Sequence, residues 1–219
     1  MYACFYDNNV YDQNLLYPYI KFFKVVDTPM FTVGDDEALA LLMEKESPSV
    51  QNIFQMYQKH YNHSYYDPLS AQTAEDFVEH VCKQASHASI NTFVFDWDRT
   101  LQPFECMSKW DLNKWSTIYG AETDMERKEF VRALAIYHAG GQKRFEKLCA
   151  MFRFLREKKK SVYILTANPA VNSPGKDIYE AILSEWGVEP CVVAYAHNKY
   201  VWLNSNVYLQ TCIGPVLSF

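Results

Sequence analysis

The pattern of hydrophobic and polar positions changes near residue 88. Residues 1–33 are aromatic and irregular, with short β-like runs such as 20–26, and from residue 35 to residue 88 apolar residues recur at the intervals of amphipathic helices. After it, short apolar runs alternate with helical segments. The predicted strands are 92–95, 161–165 and 191–196, and the predicted helices are 35–43, 50–61, 71–84, 124–156 and 177–186, with a break near Gly140 and Gly141.

Alternation of strands and helices is typical of an α/β domain with a parallel sheet. We therefore predict an α/β core over residues 89–219. Residues 1–88 are predicted to form an N-terminal accessory segment that is mostly helical. The boundary at residue 88 is placed where the helical pattern gives way to the first buried strand.

Two carboxylates, Asp96 and Asp98, follow the first buried strand. Residues two apart in extended backbone point to the same side of the chain, so both side chains can reach one small volume. Like charges this close are costly unless a cation lies between them, and carboxylate oxygens suit Mg²⁺. Since ligands of open α/β sheets bind at the carboxyl ends of strands, the pair predicts a magnesium site there.

The run Asp96-Trp97-Asp98-Arg99-Thr100-Leu101 after an apolar strand resembles the first motif of the haloacid-dehalogenase-like (HAD) superfamily. The resemblance implies a Rossmann-like HAD core, with a small helical cap inserted around 104–122. It also implies a phosphatase that forms an aspartyl phosphate. Asp96 would be the nucleophile, Asp98 the general acid and then base, and both would hold Mg²⁺. Trp97 is expected to pack against the cap rather than to recognise a base.

Three further positions match the family in part. Thr166, at the end of the second strand, matches the second motif and would hydrogen-bond the phosphoryl group. Lys199, after the third strand, is the preferred basic residue of the third motif, and Lys176 competes with it. The helix that begins near Gly140 is similar to one in HAD-like proteins of large DNA viruses and some eukaryotes.

Substrate contacts are expected from Thr100, Arg99 and Asn168 around the first two motifs. For Arg99 a phosphate contact and a solvated side chain are equal alternatives. Asn168 either orients the substrate or initiates the turn before Pro169.

The fourth motif does not match. The family places one or two acids at the end of a further strand to complete the coordination of Mg²⁺, whereas no Asp or Glu follows Glu189. Two hypotheses follow. The first is a Mg²⁺-dependent phosphohydrolase for a phosphoprotein or small phosphomonoester, and the second is a catalytically degenerate HAD-fold protein for binding or assembly.

Composition and charge indicate which partners and which cellular compartment to expect. A net charge of -5 means that a nucleic-acid partner would need a local basic patch, such as a cluster of Arg99, Arg127 and Lys128. Six cysteines without C-x-x-C spacing favour reduced thiols. The N-terminus lacks signal-peptide character, and no apolar run reaches the roughly 18 residues of a membrane span. We expect a soluble, intracellular protein, cytoplasmic by default, with no membrane partner.

Overall fold

The computed structural model describes residues 2–6, 24–26, 44–60, 70–88, 90–98, 100–102, 112–123, 126–166, 176–188 and 192–195. These residues form strands and helices that alternate along most of the chain. In chain order they are β1 (Tyr2–Tyr6), β2 (Lys24–Val26), α1 (Pro48–His60), α2 (Ser70–Ala85), β3 (Ile90–Phe95), α3 (Leu112–Thr123), α4 (Arg127–Ala139), α5 (Gln142–Glu157), β4 (Ser161–Thr166), α6 (Lys176–Glu185) and β5 (Val192–Tyr195). None of these helices combines the length and the apolar character needed to cross a membrane.

The strands form one parallel sheet with the order β2-β1-β3-β4-β5. This order is one of the two common ones in doubly wound α/β sheets. The predicted α/β class with a parallel sheet is confirmed. The strands predicted at 92–95 and 161–165 lie within β3 and β4, and the strand predicted at 191–196 contains β5. The long apolar runs of β3 and β4 fit a parallel sheet, whose inner strands are covered on both faces.

The N-terminal segment is continuous with this sheet. Strand β1 pairs with β3, with Cys4 opposite Phe93 and Tyr6 opposite Phe95, and β2 extends the sheet beyond β1. Residues 1–88 therefore contribute two strands to the sheet as well as the helices α1 and α2. The predicted β-like run at 20–26 contains β2, whereas β1 was not expected.

Helix α4 is the centre of the helical packing. Its residues from Ala133 to Ala139 are all buried, as is Phe130. Helices α1, α3, α5 and α6 contact α4, and α2 packs against α5 and β3. The cysteines Cys82 and Cys149, on α2 and α5, are free thiols.

The predicted break between α4 and α5 is confirmed at Gly140. This residue is left-handed, with φ 83°, and the N–H groups of Gly140 and Gly141 donate to the carbonyls of Tyr137 and Ile136. The pattern is a Schellman motif, which glycine favours because it has no Cβ. The turn reverses the chain so that α5 begins beside the end of α4.

Helix α3 overlaps the predicted insertion at 104–122 and ends one residue beyond it. Its Trp115 is buried and stacks on Tyr57 of α1 at a ring distance of 4.9 Å, and its Tyr119 hydroxyl donates to the Ser49 carbonyl. These contacts place α3 in the helical layer beside α1 and α4. A role for it as a cap over Asp96 stays a prediction.

Candidate active site

Asp96 lies at the carboxyl end of β3, which is a buried strand. Phe93, Val94 and Phe95 are at most 1% exposed, and Asp96 itself is 1% exposed. The N–H of Trp97 donates to Asp96 Oδ1 over 2.7 Å, which holds one carboxylate oxygen against the backbone. The order of strands reverses between β1 and β3, and ligands of doubly wound sheets bind at the carboxyl side of such a reversal.

The chain turns sharply after Asp96. The Trp97 carbonyl accepts hydrogen bonds from the N–H groups of Thr100, Leu101 and Gln102 at 3.3, 3.0 and 3.0 Å. This turn brings Gln102 back beside Asp98, with which it forms an isolated parallel bridge.

A buried arginine fastens this loop to the helices. Arg144, in the first turn of α5, is 2% exposed, and its guanidinium donates to the carbonyls of Thr100 at 2.9 Å, of Ala139 at 2.8 Å and of Leu101. The planar fork of donors lets a single arginine bond to two segments at once. Arg144 thus ties the loop after Asp98 to the end of α4.

Asp98 is half-buried and is held by a neighbouring amide. The Gln102 side chain donates from Nε2 to Asp98 Oδ1 over 2.5 Å. Gln102 is fully buried, and its Oε1 lies 2.7 Å from Nδ1 of His138, whose Nε2 lies 2.9 Å from the Tyr57 hydroxyl. The sequence did not predict roles for Gln102, His138 or Tyr57, because nothing in their spacing indicates that three distant segments meet.

Two threonines from the sequence prediction are buried. Thr166 ends β4 and is 0% exposed, and Thr100, in the loop after Asp98, is 2% exposed. Since β3 and β4 are parallel with Phe95 opposite Ile164, Thr166 and Asp96 lie at the carboxyl ends of neighbouring strands. The roles of the two threonines toward a phosphoryl group stay predictions.

Three predicted residues, Arg99, Asn168 and Lys199, lie outside the described part of the chain. Lys176, the alternative to Lys199, begins α6. It is exposed, and its Nζ lies 3.5 Å from a carboxylate oxygen of Glu180 one turn along the helix. The choice between the two lysines stays open.

Trp97 is a packing residue. It is 0% exposed, stacks on Trp186 with ring centroids 5.3 Å apart, and meets the edge of Tyr179 at 4.8 Å. Trp97 was expected to pack against the cap rather than to recognise a base, and the structure confirms only that it packs in the interior. Its partners in these contacts belong to α6 and to the residue after it, and not to α3.

The side chains at Asp96 and Asp98 can be compared with the ligands that a metal ion needs. Within the described ranges no group of three or more His, Cys, Asp or Glu side chains is placed to hold a metal ion. Mg²⁺ is often bound by one or two carboxylates, with water and phosphate oxygens completing its shell. The two carboxylates at this strand end are therefore ligands of the type that binds Mg²⁺.

The order of the strands shows which strand end could supply a third carboxylate for Mg²⁺. The expectation that this acid follows Glu189 holds only if the strands are arranged in chain order. The strand beside β3, on the side away from β4, is instead β1 from the start of the chain. Tyr6 is opposite Phe95, and the next residue in the sequence is Asp7, as Asp96 follows Phe95. Asp7 lies outside the described residues.

No protein-family model, curated protein or solved structure matches this chain. The chemistry of the site is therefore inferred from its own residues. A buried carboxylate at a strand end can act as a nucleophile, and a second carboxylate nearby can carry a proton. Hydroxyl groups from Thr100 and Thr166 are of the kind that bind phosphoryl oxygens.

Proposed function

We propose that this protein is a Mg²⁺-dependent phosphohydrolase of the HAD type, acting through an aspartyl phosphate on a phosphoprotein or a small phosphomonoester. The observation that carries the proposal is the position of Asp96, buried at the carboxyl end of a central strand beside the reversal of strand order. Asp98 follows two residues later, and Thr166 ends the neighbouring strand. These are the positions that the resemblance to HAD proteins implies.

The proposed reaction has two steps. In the first, a carboxylate oxygen of Asp96 forms a bond to phosphorus while the bond to the leaving oxygen breaks, and Asp98 transfers its proton to that oxygen. In the second, Asp98 takes a proton from water as the water oxygen attacks phosphorus. The acyl phosphate bond breaks, inorganic phosphate leaves, and the Asp96 carboxylate is restored.

Mg²⁺ would be held by Asp96 and Asp98 and would offset the negative charge of the carboxylates and the phosphoryl oxygens. The register between β1 and β3 supports Asp7 as a third acid, because Asp7 follows Tyr6 as Asp96 follows Phe95. An acid from the start of the chain would then complete the coordination of Mg²⁺, as the acids of the fourth motif do in the family. Lys199 would offset the remaining negative charge.

The test of this proposal is turnover of an aryl phosphate by the full chain. We expect the wild type to release phosphate from p-nitrophenyl phosphate only when Mg²⁺ is present, and Asp96→Asn to release none. Glu129→Gln is the control, because it neutralises an exposed carboxylate in the first turn of α4. Full activity of Asp96→Asn would show that Asp96 is not the nucleophile.

A second experiment separates catalysis from binding alone. Mg²⁺ and beryllofluoride, which mimics the phosphoryl group on an aspartate, are titrated together into the protein and followed by calorimetry. We expect beryllofluoride to bind only with Mg²⁺ present and only when Asp96 is intact. Failure of both to bind would favour the degenerate HAD-fold protein for binding or assembly.

A further inference from the structure

Four side chains form a continuous line of hydrogen bonds that ends at Asp98. Tyr57 of α1 contacts His138 in the last turn of α4 over 2.9 Å, and His138 contacts Gln102 over 2.7 Å. Gln102 then donates to Asp98 over 2.5 Å. Three of the four lie in the interior, with Gln102 and Tyr57 0% exposed and His138 4% exposed, and only Asp98 is half-buried.

The chemistry of the groups gives this line a direction. Asp98 Oδ1 accepts from the Gln102 amide nitrogen both when Asp98 is ionised and when it carries its proton on the other oxygen, so the Gln102 oxygen faces His138. The Gln102 oxygen in turn requires a proton on Nδ1 of His138. In the neutral ring Nε2 then accepts from the Tyr57 hydroxyl. Each group donates toward Asp98.

The surroundings of the line restrict its motion. The Tyr57 ring is stacked between Trp115 and Tyr137 at ring distances of 4.9 and 5.0 Å, and it meets the edge of the His138 ring at 5.5 Å. Hydrogen bonds in such an interior are stronger than in water, and an unpaired polar group there is costly. The packing of α1 on α4 therefore fixes the orientation of the Gln102 amide.

We propose that Gln102, His138 and Tyr57 are positioning residues that fix the Asp98 carboxylate for proton transfer to the leaving group. This inference rests on the proposed phosphohydrolase function for its catalytic consequence. Gln102 acts directly on Asp98, and His138 and Tyr57 act through Gln102.

The kinetic test compares two substrates that differ in their need for an acid. The alkoxide of glycerol phosphate leaves poorly without a proton, whereas p-nitrophenolate leaves readily. General acid catalysis typically contributes 10²–10⁴-fold, so Gln102→Glu should lower kcat/KM for glycerol phosphate by about 100-fold and for p-nitrophenyl phosphate by about tenfold or less. This parameter reports the first step, whereas kcat also contains the second step, in which Asp98 is the base for both substrates. Both substrates are measured at saturating Mg²⁺, because Asp98 is also proposed to hold the metal.

Gln102→Glu keeps the size of the side chain and turns a donor toward Asp98 into an acceptor. The matched control is Gln142→Glu, which makes the same change on the surface of α5, where Gln142 donates to Glu146 over 2.6 Å. Tyr57→Phe is the milder variant, because it removes one hydroxyl and keeps the stacked ring. We expect it to change the ratio between the two substrates in the same direction as Gln102→Glu, and by less.

A third measurement tests the line of hydrogen bonds without any turnover. Nitrogen-15 NMR of the histidine rings should show a proton on Nδ1 of His138, and this signal should change in both Gln102→Glu and Tyr57→Phe. An equal loss of kcat/KM for both substrates, with the expected histidine signal, would overturn the positioning role and leave the proposed function intact. A wild type without turnover of either substrate would overturn both. A His138 ring protonated only on Nε2 would overturn the line of hydrogen bonds itself.

Discussion

Replacing Arg144 tests how the loop after Asp98 is held. Arg144→Met keeps much of the side-chain volume and removes three hydrogen bonds, to the carbonyls of Thr100, Leu101 and Ala139. A net contribution of about 1–1.5 kcal/mol for each bond gives an expected loss of roughly 3–4.5 kcal/mol in the free energy of unfolding. Arg144→Lys keeps the charge but not the planar fork, so we expect it to lose about half as much.

The assay is denaturation by urea, with the midpoint and the slope fitted separately. The expected loss should appear as a lower midpoint at unchanged slope, because the surface exposed on unfolding stays the same. Arg132→Met is the control. Arg132 is half-exposed, lies over the Phe145 ring and pairs with Glu185, so its replacement should cost less than about 1 kcal/mol. A loss of that small size for Arg144→Met as well would refute the role given to its three bonds.

Three further predictions concern single residues. Lys159 is left-handed with φ 54°, so Lys159→Gly should raise the unfolding free energy by about 0.5–1 kcal/mol in urea, and a loss would contradict this conformation. Burial raises the pKa of Glu46 above 4.5, against the opposing hydrogen bond from the Gln142 N–H, so the folded state binds this proton more tightly than the unfolded state does. Wild-type stability should therefore fall as pH rises from about 4.5 through the raised pKa, relative to Glu46→Gln, and parallel pH profiles of the two proteins would contradict this. Asp7→Asn should weaken Mg²⁺ binding in calorimetry by about tenfold or more, and unchanged affinity would exclude Asp7 as a ligand.

Local sequence patterns predicted much of the core. The apolar runs ending at Phe95 and Thr166 predict β3 and β4 because strands buried on both faces have no polar side to alternate with. Gly140 predicts the end of α4 because the left-handed conformation there favours glycine. Each of these signals lies within a few residues of the feature that it predicts.

The place of β1 could not be predicted in this way. Its pairing with β3 joins Tyr6 to Phe95, and periodicity within either segment carries no information about the other. A five-residue aromatic run is also too short to distinguish a strand from irregular structure. The expectation that a further acid must follow Glu189 depended on this missing pairing.

In the candidate site, too, residues with a local sequence signal were predicted and residues that depend on distant contacts were not. Asp96 and Thr166 were predicted because each directly follows or ends a buried strand. Gln102 and His138 were not, because their contact depends on how the loop after Asp98 and the end of α4 pack together. A buried histidine on a helix is most often a satisfied core residue, so His138 gave no signal in the sequence.

The central claim, that Asp96 becomes phosphorylated, can be tested by trapping the acyl phosphate. The Asp98→Asn variant, which is expected to slow attack by water, is mixed with p-nitrophenyl phosphate and Mg²⁺, quenched in acid and reduced with borohydride, which converts an aspartyl phosphate to homoserine. Peptide mass spectrometry should find homoserine at position 96, and none when Asp96→Asn is added to the same protein. Release of phosphate by the wild type, with no homoserine at position 96 or with homoserine at another aspartate, would contradict the account.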